Sequence, residues 1–135
     1  MKNDIVTVPV TDVLVAAVPR SGGEDDVLWD IYVVNLRDED MENVLIASQG
    51  YGSVGGVDKT TTVLRHFHQR IAAKDYLKVE PIQTELFALE NEYWISFGGS
   101  RGMQDHKFRF KPGQISPEAL ENVPVLDRPG VFLRT

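Results

Sequence analysis

Apolar and polar residues alternate with period two along most of this chain, which is the spacing of strands with one buried face. Residues 11–18 (T-D-V-L-V-A-A-V) read as a first strand stopped by Pro19, and the glycine- and acid-rich stretch 21–26 reads as a turn or loop. Residues 28–36 (L-W-D-I-Y-V-V-N-L) are rich in β-branched and aromatic side chains and predict a second strand. A charged turn over 37–43 leads to a third strand at 44–48, and so short a polar reversal predicts antiparallel pairing of the two. Four glycines between 50 and 59 predict a flexible hairpin loop.

Residues 60–71 (T-T-T-V-L-R-H-F-H-Q-R-I) predict a fourth strand. Val63, Phe67 and Ile71 could share a helical face, yet the three threonines and the valine favour strand. A turn at 72–75 precedes a fifth strand at 76–82, in which Leu77 and Val79 face inward and Lys78 and Glu80 outward. Pro81 cannot donate to a ladder and places that end at an edge or a break. Residues 85–89 are short and apolar, and 93–97 (Y-W-I-S-F) form a strand in which Tyr93 and Trp94 must point to opposite faces. After a glycine-rich loop at 98–104, residues 106–111 alternate with Phe108 and Phe110 inward and Lys107, Arg109 and Lys111 outward. Ser116 followed by Pro117 predicts one helical turn near the C-terminus, and 131–133 a last short strand. Seven to eight short strands with almost no helix predict an all-β fold: an antiparallel β-sandwich, favoured over a small barrel.

Length and composition refine this picture. At 135 residues, with 42% hydrophobic and 25% charged residues, residues 1–135 are expected to form one domain around one core. There is no cysteine, so disulfides, thiolate metal sites and cysteine nucleophiles are excluded. No apolar run reaches the roughly 18–20 residues of a spanning helix, and the N-terminal stretch lacks the apolar core of a secretion signal. The expectation is a cytoplasmic protein without a membrane role. A formal charge of -6 with scattered basic residues argues against nucleic acid as partner.

The stretch 31–46 (I-Y-V-V-N-L-R-D-E-D-M-E-N-V-L-I) is an apolar strand ending in Asn35, an acidic turn, Asn43 and a second apolar strand. It resembles the second and third strands of immunoglobulin-like sandwiches of the fibronectin, adaptin-ear and transglutaminase C-terminal type. Residues 71–80 are similar to the corner before the fifth strand of those folds, and 93–97 with 107–110 look like their final hairpin. Gly50-Tyr51-Gly52, Leu64-Arg65-His66 and Asn91-Glu92-Tyr93-Trp94 also resemble pieces of a family of small bacterial all-β proteins of unknown function. The resemblance implies an immunoglobulin-like fold and protein binding, and it brings no catalytic residue with it.

Several positions could carry chemistry. His66 and His68 lie two apart on one strand, so both imidazoles share a face, and His106 beside Asp105 is the remaining histidine that could complete a metal site. The alternative is a solvated strand face beside Arg70. The loop 50–56 lacks the Gly-Lys-Ser/Thr and the following helix that phosphate binding needs, so no nucleotide is expected, and no other cofactor. Gly98-Gly99-Ser100-Arg101-Gly102 matches the letters of a nucleophile elbow, but it joins two β-strands where that motif needs a strand-to-helix turn. The acidic pairs Glu90/Glu92 and Glu80/Glu85 and the turn 38–40 read as solvated carboxylates without a cleft or a calcium-loop spacing.

The function expected is therefore that of a non-enzymatic interaction module that meets a protein partner or a second copy of itself. Tyr51, Arg65, His66, His68, Trp94 and Arg101 are the candidate contact residues, because interfaces favour tryptophan, tyrosine and arginine. The competing expectation is a small metal-binding protein or enzyme built on His66, His68 and His106.

Overall fold

The computed structural model describes residues 8–21 and 26–135, so residues 22–25 of the expected 21–26 turn and the N-terminal residues 1–7 lie outside the described residues. Ten strands are present: β1 (Val13–Pro19), β2 (Leu28–Asn35), β3 (Met41–Val54), β4 (Val57–Thr60), β5 (Leu64–Ile71), β6 (Asp75–Gln83), β7 (Glu90–Gly98), β8 (Gln104–Phe110), β9 (Glu121–Val123) and β10 (Arg128–Arg134). They form two five-stranded antiparallel sheets packed face to face, and β2 and β3, expected to pair with each other, lie in different sheets because the turn between them crosses from one sheet to the other. The first has the order β6-β2-β1-β10-β9. The second runs β4-β3-β7-β8, with β5 also paired to β3. β4 and β5 share one side of β3, because β4 pairs with residues 51–54 and β5 with residues 41–48.

The count of ten exceeds the seven to eight expected, for two reasons. The glycine-rich stretch 50–59 is mostly strand: β3 continues to Val54, Gly55 and Gly56 turn the chain at positive φ, and β4 returns along it. The C-terminal segment contributes two strands where one was expected. There is no α-helix among the described residues. The expected helical turn is a three-residue 3-10 turn, Pro117–Ala119, and Ser116 makes no side-chain cap bond to it. A second 3-10 turn, Thr84–Ala88, occupies the short apolar stretch before β7.

The sandwich core lies between the sheets. Val13, Val15, Trp29, Ile31 and Val33 of the first sheet meet Val44, Ile46, Tyr93, Ile95, Phe97, Phe108 and Phe110 of the second. Trp29 and Phe87 pack edge to face at 5.1 Å, as do Tyr93 and Phe110 at 6.2 Å. The inward facing of Phe108 and Phe110 agrees with the alternation read from β8.

A second apolar layer covers the other face of the first sheet. Leu14, Ala16, Val18, Tyr32 and Val34 are buried there with Val123, against Val125, Leu126 and Phe132. Strands β1 and β2 are thus buried on both faces, which is why their sequences are nearly continuous apolar runs. Asn35, fully buried, ties a corner of the sandwich together. Its Nδ2 donates to the carbonyls of Glu39, Ile71 and Ala72 at 2.9–3.2 Å, and its Oδ1 accepts from the Arg37 amide at 3.0 Å.

One strand departs from its expected facing. β6 pairs with β2, and its register shifts between Ile31 and Tyr32, which oppose Glu80 and Lys78 respectively. Val79 is therefore an extra residue, a β-bulge, and it reverses the alternation beyond it. Lys78 stays exposed, whereas Glu80 turns inward and is 9% exposed.

Candidate functional site

Two regions of the molecule gather polar or aromatic side chains without an evident role in folding. The first is the outer face of the β5-β3-β7-β8 sheet. Antiparallel register aligns Arg65, Ala47, Trp94 and Lys107 in one row, and Phe67, Leu45, Ser96 and Asp105 in the next. Directly opposite residues project from the same face and touch. The result is an apolar patch in which Leu45, Phe67 and Trp94 are each about half exposed (50%, 58% and 48%). A shallow concavity of about 180 Å³ opens between Leu45, Ala47, Arg65, Trp94 and Ser96. The Lys107 ammonium sits 5.3 Å from the Trp94 ring centre and 3.3 Å from Glu92. Arg65 makes no ion pair among the described residues. Tyr51 lies further along the same face, where its hydroxyl donates to Glu92 at 3.0 Å.

The second region is a cleft of about 380 Å³ between the sheets, at the open side of the sandwich. There, β6 is the edge of one sheet and the β4–β5 strands form the edge of the other. Its walls are Leu28, Leu64, Ile82 and Leu86, with Gly50, Thr61 and Thr62 at one rim. Polar side chains line or adjoin its floor. The Ser48 hydroxyl is 3.0 Å from both carboxylate oxygens of Glu80, and His66 Nε2 is 2.7 Å from Glu80 Oε1. Asn91 donates through Nδ2 to the Leu86 and Leu89 carbonyls, and its Oδ1 faces Gly50. Tyr93, 2% exposed, lines the cleft with a hydroxyl that has no hydrogen-bond partner among the described residues. Burial first, and then the charge of Glu80, push the Tyr93 phenol above its usual range.

The order of the Ser48, Glu80 and His66 cluster decides what it can do. In a serine nucleophile the imidazole takes the hydroxyl proton and a carboxylate orients the imidazole. Here the carboxylate stands in the middle and receives both donors, so His66 has no access to the Ser48 proton. The cluster holds a buried negative charge in place, in the way hydrogen bonds from charged or polar donors stabilise an inward carboxylate.

The six contact residues expected from the sequence are divided among three places. Arg65, Trp94 and Tyr51 share the outer face. His66 and His68 share the opposite, inner face of β5, half-buried, with His66 drawn onto Glu80. Arg101 stands at the far end of the molecule beside a polar depression formed by Arg37, Asp38, Glu39 and Gln104. His106 belongs to the row His66–Ile46–Ile95–His106 and is three strands from His66. Three interstrand spacings amount to about 14 Å, which is far beyond a shared metal. Among the described residues no three histidine or carboxylate side chains are grouped to hold a metal ion. Ser100, in the elbow-like stretch, donates to Glu39 on an exposed turn.

Sequence reasoning does not find Glu80, Ser48, Asn91 and Tyr93 as a group. Strict alternation through β6 points Glu80 outward, and the bulge at Val79 overturns that facing. Pro81 signals an irregularity there without revealing its direction. No family model matches the chain, and no curated protein matches it.

Proposed function

We propose that this protein is a non-enzymatic binding module whose contact surface is the outer face of the β5-β3-β7-β8 sheet. The observation that carries the reading is the half-exposed cluster of Leu45, Phe67 and Trp94 in adjacent cross-strand rows, on a sheet face with no covering layer among the described residues. Contiguous apolar surface rimmed by polar groups is the usual mark of an interaction site. The opposite sheet supplies the contrast, since the C-terminal segment covers its outer face.

Charge indicates the partner. The chain carries -6 overall, yet Arg65 and Lys107 flank Trp94 in one row. A two-fold dimer through this face would set Arg65 and Lys107 of each copy against the same basic groups of the other, between chains that each carry -6, so a second copy is a poor fit to the patch. A different protein presenting an apolar side chain flanked by carboxylates suits it. An immunoglobulin-like relationship is part of the same proposal. What supports it is the wiring: with β1, β2, β3, β5, β6, β7 and β8 taken as seven strands, the first, second and fifth share one sheet, and the third, sixth and seventh share the other. β9 and β10 then extend the first sheet.

The test is selection from a random peptide library on immobilised protein, followed by titration of the selected peptides. Recovered sequences should place Asp or Glu beside an aromatic or aliphatic residue. Binding should shift the emission of exposed Trp94 while Trp29 stays buried. Trp94→Ala should weaken binding tenfold or more, as for an aromatic anchor, with an unchanged thermal midpoint. Peptides that bind Trp94→Ala and the unaltered protein equally would overturn the reading.

A further inference from the structure

The cleft between the β6 edge and the β4–β5 edge has the construction of a ligand site, independent of the outer sheet face. Its volume of about 380 Å³ falls in the range of small-molecule pockets, which are apolar with a few convergent polar groups. Leu28, Leu64, Ile82 and Leu86 supply the apolar walls. Glu80 supplies a negative charge that is nine-tenths buried, and no lysine or arginine lines the cleft among the described residues. His66 and Ser48 occupy part of the carboxylate, but Glu80 Oε2 receives only the shared Ser48 hydroxyl. A carboxylate has about four lone-pair positions, so a further donor can be accepted.

Two more observations concern what the cleft lacks. The Tyr93 hydroxyl is aimed into it from a residue 2% exposed and has no partner among the described residues. The hydroxyl oxygen is not one of the fully buried polar atoms left without a partner, so it keeps contact with the open space of the cleft and is free to accept a hydrogen bond from a guest there. Gly50 keeps the adjoining space clear. A Cβ at that position would meet Asn91 Oδ1 at 3.0 Å and Thr61 Cγ2 at 3.3 Å.

We propose that the cleft binds a small amphipathic cation, a primary alkylammonium group whose apolar body lies against Leu28, Leu64, Ile82 and Leu86. Its three N–H donors match the open acceptors: a Glu80 oxygen, the Tyr93 hydroxyl oxygen and Asn91 Oδ1. An alcohol of the same length keeps the apolar contact and loses the charge. A carboxylate meets Glu80 as a like charge and is rejected.

The experiment is titration of the full chain with n-butylammonium, n-butanol and n-butyrate, followed by calorimetry and by amide chemical-shift changes. Butylammonium should bind saturably, at least tenfold more tightly than the other two, with shifts at Gly50, Thr61, Glu80 and Asn91. Tyr93→Phe, which removes one hydroxyl from a packed ring, should keep the fold and weaken binding about fivefold, the loss of one hydrogen bond. Glu80→Gln should weaken it more, and Trp94→Ala should leave it unchanged, which separates this site from the outer face. Equal binding of butanol and butylammonium, or no saturation by butylammonium, would overturn the proposal. So would undiminished binding by a folded Tyr93→Phe variant, which keeps the test decisive even where Glu80→Gln does not fold.

Discussion

At the scale of single residues, the chemistry of this molecule is set by which polar groups are turned inward. Glu80 is the clearest case. Its carboxylate is retained in a nearly dry position by two donors, Ser48 and His66, and loss of either leaves a buried charge less well satisfied. His66→Ala should therefore destabilise the protein by about 1–2 kcal/mol, a hydrogen bond to a charged group lessened by the part-exposure of the imidazole. His68→Ala, two residues along the same face and without such a partner, should fall within about 0.5 kcal/mol of the parent. Urea denaturation of the two variants side by side measures the difference, and equal stabilities would remove the assigned role from His66. The sequence shows two equivalent histidines at the same spacing. Only the position of Glu80 distinguishes them.

At the scale of elements, register and close approach matter more than propensity. The bulge at Val79 is one residue of irregularity, and it converts Glu80 from a solvated side chain into the floor of a cleft. A period-two pattern carries no mark of where its phase slips, so this event is illegible in the sequence beyond the hint of Pro81. Close approach is seen again at β10. A Cβ on Gly130 would stand 2.8 Å from Val123 Cγ2, 2.9 Å from the Ala17 carbonyl oxygen and 2.9 Å from Val18 Cγ2. Because one of those neighbours is backbone of β1, a side chain there forces the two strands apart. Gly130→Ala should cost about 1–3 kcal/mol, the range of overpacked cores. A thermal midpoint equal to that of the parent would show that β10 can move away at little cost.

At the scale of the whole molecule, the two sheets differ in what covers them. The first sheet is a middle layer, with the sandwich core on one side and the C-terminal segment on the other. The second sheet has one covered face and, among the described residues, one open face, and that asymmetry is what supports the proposed binding role. Removing residues 121–135 would delete β9 and β10 and uncover Leu14, Ala16, Val18 and Val34. That chain should lose cooperative unfolding and bind a hydrophobic dye such as ANS. Cooperative melting close to that of the full chain would show that the outer layer contributes little to the fold.

Strand positions in β1, β2, β7 and β8, the inward facing of Phe108 and Phe110, and the sandwich class follow from local alternation and side-chain shape, which are properties of short stretches. The double burial of β1 and β2 is also present in the sequence, as apolar runs without alternation, although the pattern cannot say what covers the second face. Tertiary structure decided the rest. Arg65 and Trp94 become neighbours only because β5 and β7 flank β3, and His106 is separated from His66 by the same strand order. The cleft exists because Ser48, Glu80, Asn91 and Tyr93, from three different strands, converge where two sheet edges stand open. Convergence of that kind depends on register and sheet order, which are set by long-range pairing, and no local pattern in the chain encodes them.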